Sequence, residues 1–242
     1  MINFYDLIPK DLCNKVHNPN YDLHNIDIPF RMIVVAPSGS GKTNFVVNLI
    51  ALFSKVRKKK KLTKLEQEMK RMGYELEDEE GTFSDIHIIT RNKDEPLYNY
   101  LERMSPDIKI TEGMETIPNL DEFNKNENHL VVFDDLVLEK NLRPITEYYI
   151  RARKLNVSVI FLSQSYYTIP KNIRINCNYI VILKLSGKRD IKLILSEFTL
   201  GVDMKTLIEM YEISTNKKFG TFIINVNAPP ECMFRNGFLN YF

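Results

Sequence analysis

The sequence predicts an α/β domain with a mostly parallel central sheet flanked by helices. Short apolar runs bounded by turn residues alternate with longer amphipathic segments, and this alternation is typical of parallel strands joined by crossover helices. The strongest runs, at 31–37, 129–136 and 157–165, are almost continuously apolar, as expected of strands buried on both faces of a sheet. A chain of 242 residues is long enough for one such domain.

The first half of the chain begins its regular structure with the strand at 31–37. The segment at about 55–81 is polar on nearly all sides, and we interpret it as an insertion outside the core. The elements predicted here are strands at 31–37, 85–90 and 107–113, helices at about 42–53 and 95–104, and a turn with a short helix at 118–126.

The second half continues the alternation and ends in an extension from about 187. Pro144 suits the first turn of a helix. The predicted elements are strands at 129–136, 157–165, 178–185 and 220–227, and helices at 143–156, 190–198 and 204–213. We expect residues 1–242 to form a single domain that carries the insertion and this extension.

Composition excludes several classes of protein. Hydrophobic residues make up 44% of the chain and charged residues 26%, which is ordinary for a globular protein with a core. No apolar run approaches the roughly 20 residues of a membrane span, and the N-terminus lacks the pattern of a secretion signal. Three scattered cysteines indicate a reducing compartment. We therefore expect an intracellular protein without a membrane partner.

The segment A-P-S-G-S-G-K-T at 36–43 indicates a phosphate-binding loop. It matches the P-loop pattern G-x-x-x-x-G-K-[ST] except at its first position, and an apolar strand precedes it and a helix follows it. Glycines let backbone amides turn toward phosphate oxygens, Lys42 supplies positive charge, and the Thr43 hydroxyl can bind Mg²⁺. The predicted nucleotide-binding residues are Ala36, Pro37, Ser38, Gly39, Ser40, Gly41, Lys42, Thr43 and Asn44.

The segment L-V-V-F-D-D-L at 130–136 predicts the second half of the site. Asp134 at the end of a buried strand can hold Mg²⁺, usually through water, and Asp135 can orient or deprotonate an attacking water. The alternative is an acidic pair that caps a surface strand. Two adjacent carboxylates beside phosphates would be costly without a cation, so we favour a catalytic pair with Mg²⁺ and a nucleoside triphosphate.

Other P-loop classes fit less well. The segment T-R-N-K-D-E-P at 90–96 contains the letters of a GTPase base-binding motif, but its spacing and its place before the acidic strand are wrong. The strand at 157–165 ends in polar residues, and Gln164, with Ser163 as the alternative, is the predicted sensor of the γ-phosphate. These features predict a RecA-like P-loop NTPase of the additional-strand type.

The chain resembles the genome-packaging ATPases of the FtsK–HerA superfamily, in particular the poxvirus-type branch of large DNA viruses and virophages. The segments that carry the resemblance are APSGSGKT, LVVFDDL and YYIRARKLNVSVIFLSQSYYTIPKNIRINCNYIVIL, with Asp-Asp in place of the superfamily's common Asp-Glu. The resemblance implies an ATP-driven homo-oligomeric ring that threads double-stranded DNA into a capsid. It also implies capsid vertex proteins as partners and the host cytoplasm, a viral factory or the virion as the location.

Ring motors of this kind complete each active site with an arginine from the neighbouring subunit. Arg151 and Arg153 are the favoured candidates, with Arg174 as a further one; a solvated basic face or a DNA contact is the alternative. Backbone contacts to DNA could come from basic residues at 58–61 and from Lys171, Arg174, Lys188 and Arg189. Tyr166 and Tyr167 are interpreted as packing residues.

Two other functions remain open from the sequence. One is a HerA-like or plasmid-type DNA pump, and the other is a nucleotide-dependent assembly switch with slow hydrolysis. Stimulation of ATP turnover by DNA distinguishes either pump from the switch.

Overall fold

One mixed β-sheet organises the part of the chain that the structure, a computed structural model, describes, namely residues 18–54, 81–105, 107–198 and 200–242. Its strand order is β3-β2-β4-β5-β1-β6-β7-β8-β9. The strands are β1 (Arg31–Val35), β2 (Asp85–Thr90), β3 (Ile108–Glu112), β4 (His129–Asp134), β5 (Val157–Ser163), β6 (Tyr179–Ile182), β7 (Phe222–Asn225), β8 (Phe234–Asn236) and β9 (Asn240–Tyr241).

Helices flank this sheet and fill most of its connections. The α-helices are α1 (Tyr21–His24), α2 (Lys42–Phe53), α3 (Pro96–Met104), α4 (Arg143–Arg151), α5 (Lys171–Arg174), α6 (Arg189–Glu197), α7 (Met204–Ser214) and α8 (Pro230–Met233). Short 3₁₀ turns lie at Met114–Thr116, Leu120–Glu122 and Ala152–Leu155. No helix among the described residues is long and apolar enough to cross a bilayer.

The strand order places β5 between β1 and β4. Strands β1 to β6 pair in parallel, and β7 to β9 continue the sheet antiparallel. Register partners at the carboxyl ends are Val35 with Ser163, and Asp134 with Leu162 and Thr90. The residues that follow β1, β2, β4 and β5 therefore emerge at one edge, as the additional-strand prediction requires.

Alternation along the strands divides the core between the two faces of the sheet. On β5, Ile160 and Leu162 pack on the face covered by α2 and α3, whereas Val159 and Phe161 pack on the face covered by α4, α6 and α7. Because successive strand residues point to opposite faces, both layers demand apolar side chains. This explains why the strongest strands are apolar without a break.

Two of the differences between the structure and the sequence-based prediction have a clear physical reason. The predicted helix at 143–156 ends at Arg151 and continues as a 3₁₀ turn to Leu155, because Asn156 adopts a left-handed conformation (φ 54°) that reverses the chain into β5; asparagine tolerates this region better than most residues. Strands β8 and β9 were not predicted, since runs of three and two partly polar residues carry no periodic signal. The predicted insertion at about 55–81 lies outside the described part except for its last residue, Gly81.

An ion pair joins the first residues of β2 and β4. The Nδ1 of His129 lies 2.7 Å from Oδ1 of its register partner Asp85, and its Nε2 lies 2.9 Å from the carbonyl oxygen of Asn124. Burial alone would lower the pKa of His129, but these acceptors raise it overall. Burial would raise the pKa of Asp85, yet hydrogen bonds from His129 and His87 hold it well below its usual range.

We expect Asp85→Asn to lower the free energy of unfolding by about 1 to 2 kcal/mol near pH 5.5. The charged imidazole contributes stability below its unfolded pKa and loses it as pH rises through the folded value; the carboxylate contributes above its unfolded pKa. The cost should therefore be largest between about pH 4 and 6.5 and smaller at pH 9. Thermal unfolding of both proteins across this range measures it, and a cost that grows toward pH 9 would contradict the pairing.

Candidate functional site

The loop between β1 and α2 has the backbone of a phosphate cradle. Gly39 (φ 73°) and Gly41 (φ 98°) both adopt left-handed conformations that side chains disfavour. Gly41 is also the residue from which α2 starts, so the positive end of the helix dipole and its free amides face the loop. The loop therefore offers donors and positive potential to an anion.

Lys42 lies inside this loop. Its side chain is only 9% exposed, and its Nζ donates to the carbonyl oxygen of Ala36 at 2.9 Å and more weakly to that of Pro37 at 3.4 Å. Burial lowers the pKa of the ammonium, although the carboxylates of Asp135 and Asp134 act in the opposite direction. A phosphate would supply the negative charge that this buried ammonium faces only in part.

A cleft of about 550 Å³ opens beside the loop. Three parts of the chain line it besides the loop: Thr90, Asn92, Glu95 and Leu97 after β2, the acidic pair after β4, and Phe219. Of the nine predicted nucleotide-binding residues, six line the cleft, namely Ser38, Gly39, Gly41, Lys42, Thr43 and Asn44. Ala36, Pro37 and Ser40 belong to the loop, and the first two contribute the carbonyl groups that hold Lys42.

Asp134 is a buried carboxylate at the end of β4. It is 8% exposed, and the hydroxyl of Tyr98 donates to its Oδ2 at 2.5 Å. Burial and the neighbouring charge of Asp135 raise its pKa to about 6, although the Tyr98 hydroxyl and Lys42 act against the shift. A carboxylate in this position is costly to ionise unless a cation lies beside it.

Tyr98 connects the two predicted metal ligands. Its hydroxyl donates to Asp134; burial raises the pKa of this hydroxyl, whereas the nearby Thr43 side chain lowers it. The Thr43 side chain and the Asp134 carboxylate therefore both lie near one hydroxyl group. The Thr43 hydroxyl and the Asp134 carboxylate are hard oxygen ligands, which suit Mg²⁺. This ion usually binds one or two protein oxygens together with phosphate oxygens and water. Sequence reasoning missed Tyr98, because a tyrosine within an amphipathic helix gives no signal of where its hydroxyl lies.

Asp135 lines the cleft and contacts Gln164, which does not line it. Asp135 leaves β4 with a left-handed backbone (φ 58°), and the Nε2 of the exposed Gln164 donates to its Oδ1 at 3.4 Å. The alternative sensor, Ser163, is fully buried and donates to the carbonyl oxygen of Ser165 at 2.9 Å. The geometry therefore favours Gln164 over Ser163 as the group that can respond to a ligand beside Asp135.

The predicted arginines do not line this cleft. Helix α4 runs from the carboxyl end of β4 toward the amino end of β5, and Arg151 and Arg153 follow at that opposite edge of the sheet. Arg151 is exposed and pairs with Glu147 and, at 2.9 Å, with Asp121. Arg153 is exposed. Either residue could serve only the cleft of another subunit.

The basic residues predicted to contact DNA have different surroundings. Arg174 is mostly buried and forms a two-bond ion pair with Glu197, at 2.5 Å and 3.0 Å, so it is engaged within the fold. Lys188 pairs with Glu212, and Lys171 is exposed. The guanidinium of Arg189 lies 3.8 Å from the ring centroid of Tyr167. The lysines at 58–61 lie outside the described residues.

The interpretation of Tyr167 as a packing residue is wrong. Its side chain is 53% exposed and carries Arg189 on its ring, whereas Tyr166 is fully buried as expected. The cleft-lining residues Thr90, Asn92 and Glu95 were also missed. They belong to the segment set aside as a false GTPase motif, and they reach the cleft because β2 pairs with β4.

We expect Asp134→Asn to stabilise the nucleotide-free protein by about 1 to 3 kcal/mol at pH 8, since it removes a buried charge whose pKa is raised to about 6. The raised pKa means that the ionised carboxylate costs stability above about pH 6 and not below about pH 4. The gain should therefore disappear at pH 4. Thermal unfolding measures it.

The matched control is Asp94→Asn, which changes an exposed carboxylate on the loop between β2 and α3. It should change stability by less than about 0.5 kcal/mol at either pH. A lower melting temperature for Asp134→Asn at pH 8 would show that Asp134 is not held as a destabilised anion.

Comparisons with known proteins agree with this geometry. The structure of B204, described as the DNA-packaging ATPase from Sulfolobus turreted icosahedral virus, superposes with a TM-score of 0.52 at 13% identity over 87% of this chain and 97% of that one. B204 from Sulfolobus turreted icosahedral virus 2, in complex with ATP-γS, gives 0.50 at 11% identity over 84% and 95%. The cytoplasmic domain of the Thermomonospora curvata type VII secretion ATPase EccC gives 0.50 at 12% identity, over 83% of this chain and 24% of that one.

These likenesses confirm the predicted fold class. A comparison with curated protein sequences found no match. The model of the poxvirus A32 protein family matches residues 20–228, which is most of the chain. The chain therefore belongs to the poxvirus A32 protein family, which agrees with the predicted resemblance to the poxvirus-type branch.

Proposed function

We propose that this protein is an ATP-driven motor that moves a double-stranded viral DNA genome into a capsid. One observation carries the proposal: the phosphate cradle at 36–43 and the acidic pair Asp134–Asp135 border one cleft at the carboxyl edge of a parallel sheet. Ligands of open α/β sheets bind outside this edge. The likeness to B204, a DNA-packaging ATPase whose structure is known in complex with ATP-γS, supports ATP as the ligand here.

The predicted site residues have separate parts in hydrolysis under this proposal. The amides of the loop and the Lys42 ammonium bind the phosphates and stabilise the charge that develops on the transferred group. Thr43 and Asp134 would hold Mg²⁺, which when bound neutralises phosphate charge. Asp135 orients the attacking water and accepts its proton, and Gln164, bonded to Asp135, senses whether the γ-phosphate is present.

The motor acts as a ring of identical subunits. Arg151 or Arg153 of one subunit would complete the cleft of the next, which is consistent with their distance from their own cleft. DNA contacts must ignore sequence, so we assign them to basic groups that meet phosphates: the lysines at 58–61, Lys171 and Arg189. The buried ion pair of Arg174 argues against that residue as a DNA contact.

The proposed domain organisation, location and partners are those that genome packaging requires. We propose that residues 1–242 act as one domain, and the single sheet from β3 to β9 in the described part of the chain supports this. The motor would work in the host cytoplasm or a viral factory, docked on capsid vertex proteins, and remain with the virion if it stays docked.

The experiment measures ATP turnover with no DNA, single-stranded DNA and double-stranded DNA at rising salt. We expect double-stranded DNA to stimulate turnover, and salt to reduce the stimulation because phosphate contacts release counterions. A DNA pump of the HerA or plasmid type would behave similarly. Nucleotide-driven assembly without stimulation by DNA would instead identify an assembly switch and overturn the proposal.

Two variants assign the chemistry within the same assay. Lys42→Ala should abolish tight ATP binding, whereas Asp135→Asn should preserve binding and slow hydrolysis by about 10²- to 10⁴-fold, the usual contribution of a general base. Full turnover by Asp135→Asn would move the base elsewhere. If Lys42→Ala bound ATP as tightly as the unsubstituted protein, the loop at 36–43 would not be the phosphate-binding site.

The neighbouring-subunit arginine is tested by mixing inactive variants. Arg151→Ala or Arg153→Ala subunits mixed with Lys42→Ala subunits should regain part of the turnover, because mixed rings contain some clefts with an intact loop and an intact arginine. Lys154→Ala, in the same exposed 3₁₀ turn, is the control and should be active alone. Absence of any recovery for both arginine variants would assign them a role in their own subunit.

A further inference from the structure

A second cleft adjoins the phosphate cleft. Its volume is about 530 Å³, within the range of small-molecule sites, and it shares Gly41, Asn44 and Phe219 with the phosphate cleft. Its floor is apolar, since Phe45 and Phe238 stack there with ring centroids 5.5 Å apart. A ligand held by its phosphates in the first cleft can therefore extend directly into the second.

Phe219 stands between the two clefts in a costly backbone conformation. Its φ of 64° lies in the left-handed region, which a bulky residue rarely adopts. The turn that holds it packs against the end of α7, because a side chain on Gly220 would come within 2.3 Å of the Ser214 carbonyl oxygen. Strained residues of this kind persist where the surrounding structure imposes them, commonly at ligand sites.

The ring of Phe219 lies directly on the phosphate loop. A Cβ added to Gly41 would meet Phe219 Cδ1 at 2.5 Å, so the contact exists only because position 41 is glycine. Even so, the side chain remains 49% exposed. A large aromatic surface is thus fixed at the point where a nucleotide bound by its phosphates would continue toward its base.

We propose, on the basis of the proposed function, that the second cleft binds the nucleobase of the nucleotide and that Phe219 is its stacking platform. Every base offers a π-face, and stacking on an aromatic side chain contributes substantially to binding. This role explains why a strained, half-exposed phenylalanine occupies a position where glycine would be easier.

Asn48 adds a preference for adenine. The Nδ2 of Asn48 donates to the backbone oxygen of Asn44 at 2.7 Å, which assigns the amide orientation and leaves Oδ1 as an acceptor. An acceptor on the wall of the second cleft matches the exocyclic amine of adenine and opposes the O6 carbonyl of guanine. With the exocyclic position of the base placed against Asn48, as we propose, this acceptor favours ATP over GTP, a choice that the phosphate loop cannot make.

The test uses Phe219→Gly in an Asp135→Asn background, so that binding is measured without turnover. Glycine keeps the left-handed backbone, so the melting temperature should be unchanged or raised. We expect ATP affinity to fall at least ten-fold, while the affinity for inorganic tripolyphosphate stays within two-fold. Phe219→Trp should retain ATP binding, and Tyr100→Ala, which removes an exposed aromatic from α3, should not alter it.

The outcomes separate this proposal from the proposed function. If the parent protein binds neither ATP nor tripolyphosphate, the proposed function fails. If it binds both, two results would show that Phe219 does not stack on a base: an unchanged ATP affinity in Phe219→Gly, or an equal loss of affinity for ATP and for tripolyphosphate. Either result overturns only the platform proposal.

Base selection has its own readout. The parent should prefer ATP over GTP, and Asn48→Ala should reduce that preference several-fold. Equal affinity of the parent for ATP and GTP would overturn the assignment of adenine.

Discussion

The parallel register of β1, β5 and β4 is the constraint on which the site depends. It places the loop after Val35 and the carboxylate of Asp134 at one edge, with β5 between them. Because the strands are buried on both faces, a one-residue shift in register would move every side chain to the opposite face and disrupt the packing of both core layers. Core packing thereby holds the amides and the carboxylates at a fixed separation without any direct bond between them.

The charged groups Lys42 and Asp134 in the cleft are only partly balanced by opposite charges of the protein. Burial lowers the pKa of the Lys42 ammonium and raises that of Asp134, so both groups are held in the form that their surroundings disfavour. A triphosphate with its metal ion supplies both missing partners, a negative charge for Lys42 and a positive one for Asp134. The cleft thus gives up stability when empty and recovers it on binding, as functional sites commonly do.

Sequence patterns predicted the parts of the site that are contiguous in the chain. The loop at 36–43, the Asp134–Asp135 pair and the end of β5 each follow a strong apolar run, so their position at a strand end is a local property. Tyr98, Asn92 and Phe219 could not be found in this way. Asn92 reaches the cleft and Tyr98 reaches Asp134 because β2 pairs with β4. Phe219 comes from the far end of the chain, through a turn after α7.

The central claim is that one triphosphate lies between the loop and the acidic pair. It is tested most directly by electron–nuclear double resonance on the protein with ATP-γS and Mn²⁺ in place of Mg²⁺. The account predicts phosphorus hyperfine coupling to the bound Mn²⁺, and loss of this bound species in Asp134→Asn. Mn²⁺ bound without phosphorus coupling, or a spectrum unaffected by the Asp134→Asn substitution, would contradict it.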